Sequence, residues 1–243
     1  MRLDDFAHLD FDRAQRTGVP EVVLAEGKAD ADLVAIVDAF VAGPGRVVVS
    51  RLAPERLRLL ENLDAKLDYH ERANLLEVSA PHAPPVPRTG GRVLVMAAGT
   101  ADAAVAEEAR LMAEAVGCDT RRVYDVGVAG LHRLQDAHDA WSWADVIIVA
   151  AGREGALAPV VSGLVDRPVI GLPVSVGYGH AGQGEAALST MLQSCSPMAV
   201  VNIDAGVVAG MCAAQIANRV AQARQSPGES TPPQELVMRR EQP

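Results

Sequence analysis

From residue 92 onward, short apolar runs alternate with segments in which apolar side chains return every third or fourth position. Val93-Leu94-Val95-Met96 is one such run; Gly99-Thr100-Ala101-Asp102 follows it, and then a helically spaced stretch over 102–116. A continuous run of aliphatic residues marks a strand covered on both faces, and a 3.6-residue recurrence marks a helix with one face in a core. The same rhythm predicts strands at 121–126, 145–150, 168–171 and 198–203, and helices near 131–140, 154–164, 184–194 and 206–223. Strands alternating with helices imply a parallel sheet with right-handed crossovers, an α/β core of the Rossmann type.

The first third has its own pattern. Residues 1–18 read as a polar helix ending near Gly18, and 20–24 as a short strand. Leu33, Val34, Ile36, Val37, Phe40 and Val41 recur at helical spacing and stop at Gly43-Pro44-Gly45. A strand at 47–50, a helix over 54–63 and a strand with a turn in 69–78 complete a small α/β unit. Residues 80–91 are rich in proline and glycine without apolar periodicity, which marks a linker. Three parts are therefore expected: a smaller N-terminal α/β domain over 1–88 ending in the Pro-rich linker, a core over 89–225, and a disordered tail over 226–243.

Composition narrows the function. Hydrophobic residues make up 49% and aromatics only 3%, so the core must be built of Val, Ala and Leu, as buried parallel strands require. A net charge of -9 argues against a basic face for nucleic acid. The charged N-terminus carries no apolar signal region, and no apolar run approaches the ~20 residues that cross a bilayer. A cytoplasmic protein without membrane contact is expected. Cys118, Cys195 and Cys212 have neither disulfide nor CxxC metal spacing, and no His/Cys/Asp cluster forms a metal cage.

Open parallel sheets bind ligands beyond the carboxyl ends of their strands. Five glycine-containing loops fall there: Gly99–Asp102, Asp125–Gly130, Ala150–Glu154, Pro173–Gly179 and Asn202–Gly206. Small residues let backbone N–H groups crowd a nucleotide's phosphates. Gly99, Thr100, Ala101, Asp102, Gly127, Gly130, Arg153, Ser175, Gly177, Tyr178, Gly179, Asn202 and Asp204 are thus the candidates for substrate binding. Structural roles compete at several of them. Thr100 or Asp102 is also a helix N-cap, Arg153 a surface ion-pair partner, Tyr178 a half-buried loop anchor, Asn202 and Asp204 caps of the last helix, and Glu154 a first-turn acid offsetting a helix dipole.

The segments ADVIIVAAGREGALAPVVSGLVDRPVIGLPVSVGYG and STMLQSCSPMAVVNIDAG, with GTAD, DVGVAGLHRL and PEVVLAEGK, resemble the LarB family of nickel-pincer cofactor biosynthesis over roughly residues 19–220. The core of that family is similar to PurE-type aminoimidazole ribonucleotide carboxylase, so the resemblance implies a PurE-like, flavodoxin-like sheet. It further implies carboxylation of the nicotinate ring of nicotinic acid adenine dinucleotide at C5, with cleavage of the phosphoanhydride to give pyridinium-3,5-biscarboxylate mononucleotide and AMP. Carbon dioxide or bicarbonate is then a co-substrate, Mg²⁺ arrives through the substrate's phosphates, and the assembly is a homo-octamer.

An electron-poor pyridinium cannot attack carbon dioxide. A thiolate added beside C5 turns the ring into a dihydropyridine whose C5 is nucleophilic, and cysteine then leaves as a competent thiolate. The resemblance assigns that thiol to Cys195, placed at the end of helix 184–194 where it would be exposed to the crevice, and the proton-accepting base to Glu154. Cys118 and Cys212 read as packing residues. Ala101 departs from the related enzymes, which carry serine there. His180 lies in the glycine-rich loop that bears a proton-shuttling histidine in the purine-pathway mutases. A PurE-like mutase, which needs no covalent thiol, and a non-catalytic nucleotide sensor are the rival functions.

Overall fold

The computed structural model describes residues 1–3, 6–135 and 137–225. At its start β1 (Arg2–Leu3) and β2 (Ala7–His8) pair antiparallel, and α1 (Arg13–Thr17) closes at Gly18 in the left-handed conformation, φ 78°. This corrects the helix expected over 1–18. Leu3, Ala7, Leu9 and Phe11, all at odd positions, turn toward the same core, a period of two that belongs to extended chain. Phe11 meets Phe40 edge-on at 5.0 Å.

β3 (Val22–Leu24), β4 (Arg46–Ser50), β5 (Lys66–His70) and β6 (Leu75–Ser79) form a four-stranded sheet in the order β3-β4-β6-β5, with α2 (Asp30–Ala42) between β3 and β4 in the chain. β3 and β4 are parallel; the other pairs are antiparallel. The helix expected over 54–63 is a 3₁₀ stretch at Pro54–Leu59, and the segment 69–78 belongs to a hairpin turning at Asn74, φ 48°. α2 buries Leu33, Val37 and Phe40 against one face of the sheet.

The core contains β7 (Arg92–Ala97), α3 (Ala103–Ala115), β8 (Asp119–Val123), α4 (Leu131–Gln135), α5 (His138–Trp143), β9 (Val146–Ala151), α6 (Leu157–Ser162), β10 (Val169–Pro173), α7 (Glu185–Leu192), β11 (Ala199–Val200) and α8 (Gly206–Gln225). Its five strands are all parallel in the order β11-β10-β9-β7-β8. Side chains alternate across the pleat. Val93, Val95 and Ile148 pack on Ala106 and Ala109 of α3 and Ala213 and Ala217 of α8; Leu94, Met96, Ile147 and Val149 face Leu157, Val161 and Met191. α3 and α8 approach closely because their contact is built of small residues. A Cβ added at Gly210 would collide with the Ala109 carbonyl. The helix expected near 131–140 is two short ones, and β11, which among the described residues pairs with β10 alone at the edge of the sheet, is shorter than expected.

The N-terminal sheet turns its second face to the core, where Val48, Ala73 and Leu75 meet Leu111 and Met112 of α3. The chain between the two sheets is tied at both ends. Ala80 N–H donates to the Gly45 carbonyl at 2.7 Å, and Thr89 Oγ1 to Asn218 Oδ1 at 2.6 Å. The expected tail, 226–243, lies outside the described residues. Among the described residues, no helix is long and apolar enough to cross a membrane.

Candidate active site

The carboxyl ends of the strands open onto a crevice of about 590 Å³, lined by Gly99, Ala101, Asp102, Gly127, Arg153, Glu154, Gly177 and Tyr178, with Gly152, Leu157 and Val176 beside them. Four of the five expected loops meet there.

Asp102 joins two of them. Its Oδ2 accepts from Gly99 N–H at 2.8 Å and its Oδ1 from Gly152 N–H at 2.9 Å, binding the turn after β7 to the turn after β9. With only 6% of the side chain's residue exposed, burial pushes the Asp102 carboxyl above its ordinary range, and the two backbone donors offset part of that rise. Asp102 stands at the N-terminus of α3 but makes no side-chain cap bond to that helix; its carboxylate reaches back to Gly99 instead, while Thr100 offers its carbonyl to Arg72 at 3.4 Å. Gly152 is required by space: a Cβ there would collide with the Val176 carbonyl and lie 2.9 Å from Asp102 Oδ1.

Arg153 holds a left-handed backbone, φ 57°, which turns its side chain across the crevice mouth onto Tyr178. The guanidinium stands 4.5 Å over the ring, and Nη1 donates to the hydroxyl at 3.1 Å. Tyr178 is 75% exposed, so it is no half-buried anchor. Among the described residues Arg153 has no carboxylate partner, which leaves its charge for a substrate carboxylate or phosphate. Glu154 lines the same crevice, exposed. α6 begins only at Leu157 and carries no acid in its first turn, so the dipole-offsetting role is not the one Glu154 occupies.

Other candidates stand behind or outside the crevice. Asp204, φ 55°, accepts Ser175 N–H on Oδ1 at 2.9 Å and so braces the loop that carries Gly177 and Tyr178 from beneath. Asn202 Oδ1 takes the next backbone N–H, Ile203, at 2.8 Å, a local turn. Gly130 is buried against the Arg133 guanidinium, and Gly179, φ 86°, continues the exposed loop beyond Tyr178 toward His180.

Cys195 is exposed, but not to this crevice. A crossover helix runs antiparallel to the strands it joins, so α7 ends at the amino edge of the sheet, opposite the loops. Ser196 Oγ lies near Gly163, at the far end of α6 from Glu154, and Ser162 Oγ donates to the Pro197 carbonyl at 2.6 Å. Six residues of α6 at ~1.5 Å each put about 9 Å of helix between Glu154 and the Cys195 turn. The crevice of one chain therefore does not receive the Cys195 thiol of that chain. Cys118 is buried beside Asn218, with its thiol pushed up to about 11 by desolvation, and Cys212 packs from α8 toward the core.

Among the described residues no three His, Cys, Asp or Glu side chains converge as a metal site. Both Asp102 oxygens are engaged by backbone N–H groups.

A doubly covered parallel sheet with a glycine-walled crevice at the carboxyl ends of its strands, holding one buried carboxylate and one open one, has the architecture of a PurE-like fold. Comparison with known proteins makes the class that of a carboxylase-type enzyme. Residues 2–80 match the model of the LarB/PurE-like N-terminal domain and residues 92–227 that of AIR carboxylase. An uncharacterised protein of Methanocaldococcus jannaschii is 39% identical over 88% of this chain and 85% of its own length. A protein of Methanothermobacter thermautotrophicus, named "Probable N5-carboxyaminoimidazole ribonucleotide mutase", is 31% identical over 51% of this chain and 37% of its own. The chain belongs to the LarB family.

Proposed function

We propose that the protein carboxylates the nicotinate ring of nicotinic acid adenine dinucleotide at C5 and hydrolyses the phosphoanhydride, giving pyridinium-3,5-biscarboxylate mononucleotide and AMP. The observation that carries this is the pairing, in one crevice of a LarB-family chain, of the Arg153–Tyr178 platform with the open carboxylate Glu154. Tyr178 offers a face to the pyridinium, Arg153 a charge to its carboxylate, and Glu154 a base for the C5 proton.

The Cys195 thiolate adds beside C5, carbon dioxide bonds to C5, Glu154 takes the C5 proton, and the ring electrons return as the thiolate leaves. Ring and carbon dioxide become ring carboxylate and one proton. Water divides the phosphoanhydride, where Mg²⁺ bound to the phosphates would supply charge neutralisation. A thiol at the amino edge of its own sheet reaches a crevice only from another copy, so the thiol comes from a neighbouring subunit of the octamer. Leu164 and Leu192, 59% and 64% exposed beside the Cys195 turn, and Val176 and Tyr178 at the crevice rim offer apolar surface for such a contact.

Carboxyl transfer on an aminoimidazole nucleotide is the second function. It is favoured by the absence of a thiol from the single-chain crevice and by the likeness to the Methanothermobacter protein. One incubation separates them. With nicotinic acid adenine dinucleotide, bicarbonate and Mg²⁺, AMP and a carboxylated pyridinium mononucleotide should form; folded protein that yields neither, but moves a carboxyl group on the imidazole nucleotide, would establish the second.

A further inference from the structure

A second cavity, of about 440 Å³, lies between the N-terminal sheet and the first turn of α3. It opens next to the active crevice, since its wall includes Ala104 and Val105, just past Asp102, and its far side includes Arg72 and Asn74 from the β5–β6 turn. Cations in this wall are unequally engaged. Arg51 donates to Glu26 at 2.9 Å and to the Asp204 carbonyl at 3.0 Å. Arg56 is consumed by Asp30 and the carbonyls of Ala25 and Lys28, at 2.9, 2.7 and 2.9 Å. Arg72 has one long contact, 3.4 Å to the Thr100 carbonyl, and among the described residues no carboxylate within ion-pair distance.

Thr100 stands between Gly99 and Ala101, which line the active crevice, so Arg72 carries a free guanidinium to the passage between the two cavities. We propose that this second cavity holds the adenylate half of the dinucleotide, with Arg72 on the phosphates that bridge the halves; the assignment rests on the dinucleotide function proposed above. The chemistry is complementary. Ala53, Ala73, Ala104 and Val105 give a purine apolar walls, while Glu26 and Asp204 accept from ribose hydroxyls. Asn74 spends its Oδ1 on the Tyr69 hydroxyl at 3.2 Å, leaving its amide N–H₂ for a ligand acceptor. The volume lies within the ~300–1,000 Å³ of small-ligand sites. A guanidinium at the bridge binds phosphate oxygens in a fork and offsets the charge that grows on the departing AMP. The N-terminal domain thereby becomes half of the substrate site.

AMP titrated calorimetrically into the full chain tests this without turnover. AMP should bind, Arg72→Met should weaken it at least tenfold, and Arg72→Lys should recover part of the loss. Ala104→Leu, which keeps a good helix former on α3, should abolish binding by filling the cavity. Adenosine, lacking the phosphate, should bind equally to the parent and to Arg72→Met. Thermal melts of each variant establish folding. No AMP binding by the parent chain, or affinity unchanged in both Arg72→Met and folded Ala104→Leu, overturns the proposal. Arg72-dependent AMP binding in a protein that fails to carboxylate the dinucleotide would overturn the function and leave the adenylate site standing.

Discussion

Asp102→Asn probes the crevice at its joint. The substitution keeps the shape but turns one acceptor oxygen into an N–H₂ donor, and both positions face backbone N–H groups, Gly99 at 2.8 Å and Gly152 at 2.9 Å. One charge-assisted bond is lost, and one backbone donor is left facing another donor where little water enters; together these cost about 3–4 kcal/mol. Relief of a buried charge returns part of that, leaving a net loss of about 2 kcal/mol, or a fall of about 4–8 °C in Tm for a chain of this size. The pH dependence carries a sign as well. Burial raises the Asp102 carboxyl above its ordinary 3.8, so the native chain binds this proton more tightly than the unfolded chain does. Its contribution is complete below 3.8 and is lost as pH rises through the raised native value. Urea unfolding of both proteins from pH 3.5 upward should therefore give a flatter stability curve for the variant across that window. Turnover should fall at least tenfold, because the two turns lose their common anchor. A variant with the parent's stability, the parent's pH slope and the parent's turnover would refute this account of the crevice.

Gly152→Ala places a methyl group against the Val176 carbonyl and 2.9 Å from Asp102 Oδ1, so it should cost about 1–3 kcal/mol in urea unfolding and depress turnover together with it. Glu154→Gln should leave folding unchanged and let the ring be trapped before the C5 proton departs, seen as a mass increase on Cys195; normal turnover would remove Glu154 from the mechanism. Ser50→Ala deletes the 2.7 Å bond to Glu108, whose carboxyl burial already raises above 4.5, and should cost about 1–3 kcal/mol at neutral pH and less as Glu108 protonates, measured by urea midpoints at the two pH values.

Core strands were legible because residues buried on both faces leave an unbroken aliphatic signature, as in Val146–Ala151. Four of the glycine loops gather at the crevice because parallel strands share a carboxyl edge; the fifth, after β11, lies to the side, where Asp204 braces Ser175 instead. The N-terminal hairpin lies in a polar stretch that reads as a helix, although its odd-position apolar residues carry the strand period. The position of Cys195 just past a helix end does not by itself say which edge of the sheet it reaches; a crossover helix that starts at the loop edge, as α7 does, finishes at the other. Arg72 left no local signal, since its importance comes from a β-turn brought to Thr100 by the packing of Leu75 on α3.

The central claim is that the thiol of one copy works on a ring held in the crevice of another. Co-expression of Cys195→Ala and Glu154→Gln chains bearing different tags, purified on both tags, isolates the mixed assembly. Each variant alone should be inactive in forming the carboxylated mononucleotide. In a mixed pair, the crevice of the Cys195→Ala chain keeps its Glu154 and receives Cys195 from its neighbour, so carboxylation should return. A mixed assembly of intact mass that stays as inactive as its parents would contradict the account, as would a Cys195→Ala protein that carboxylates on its own.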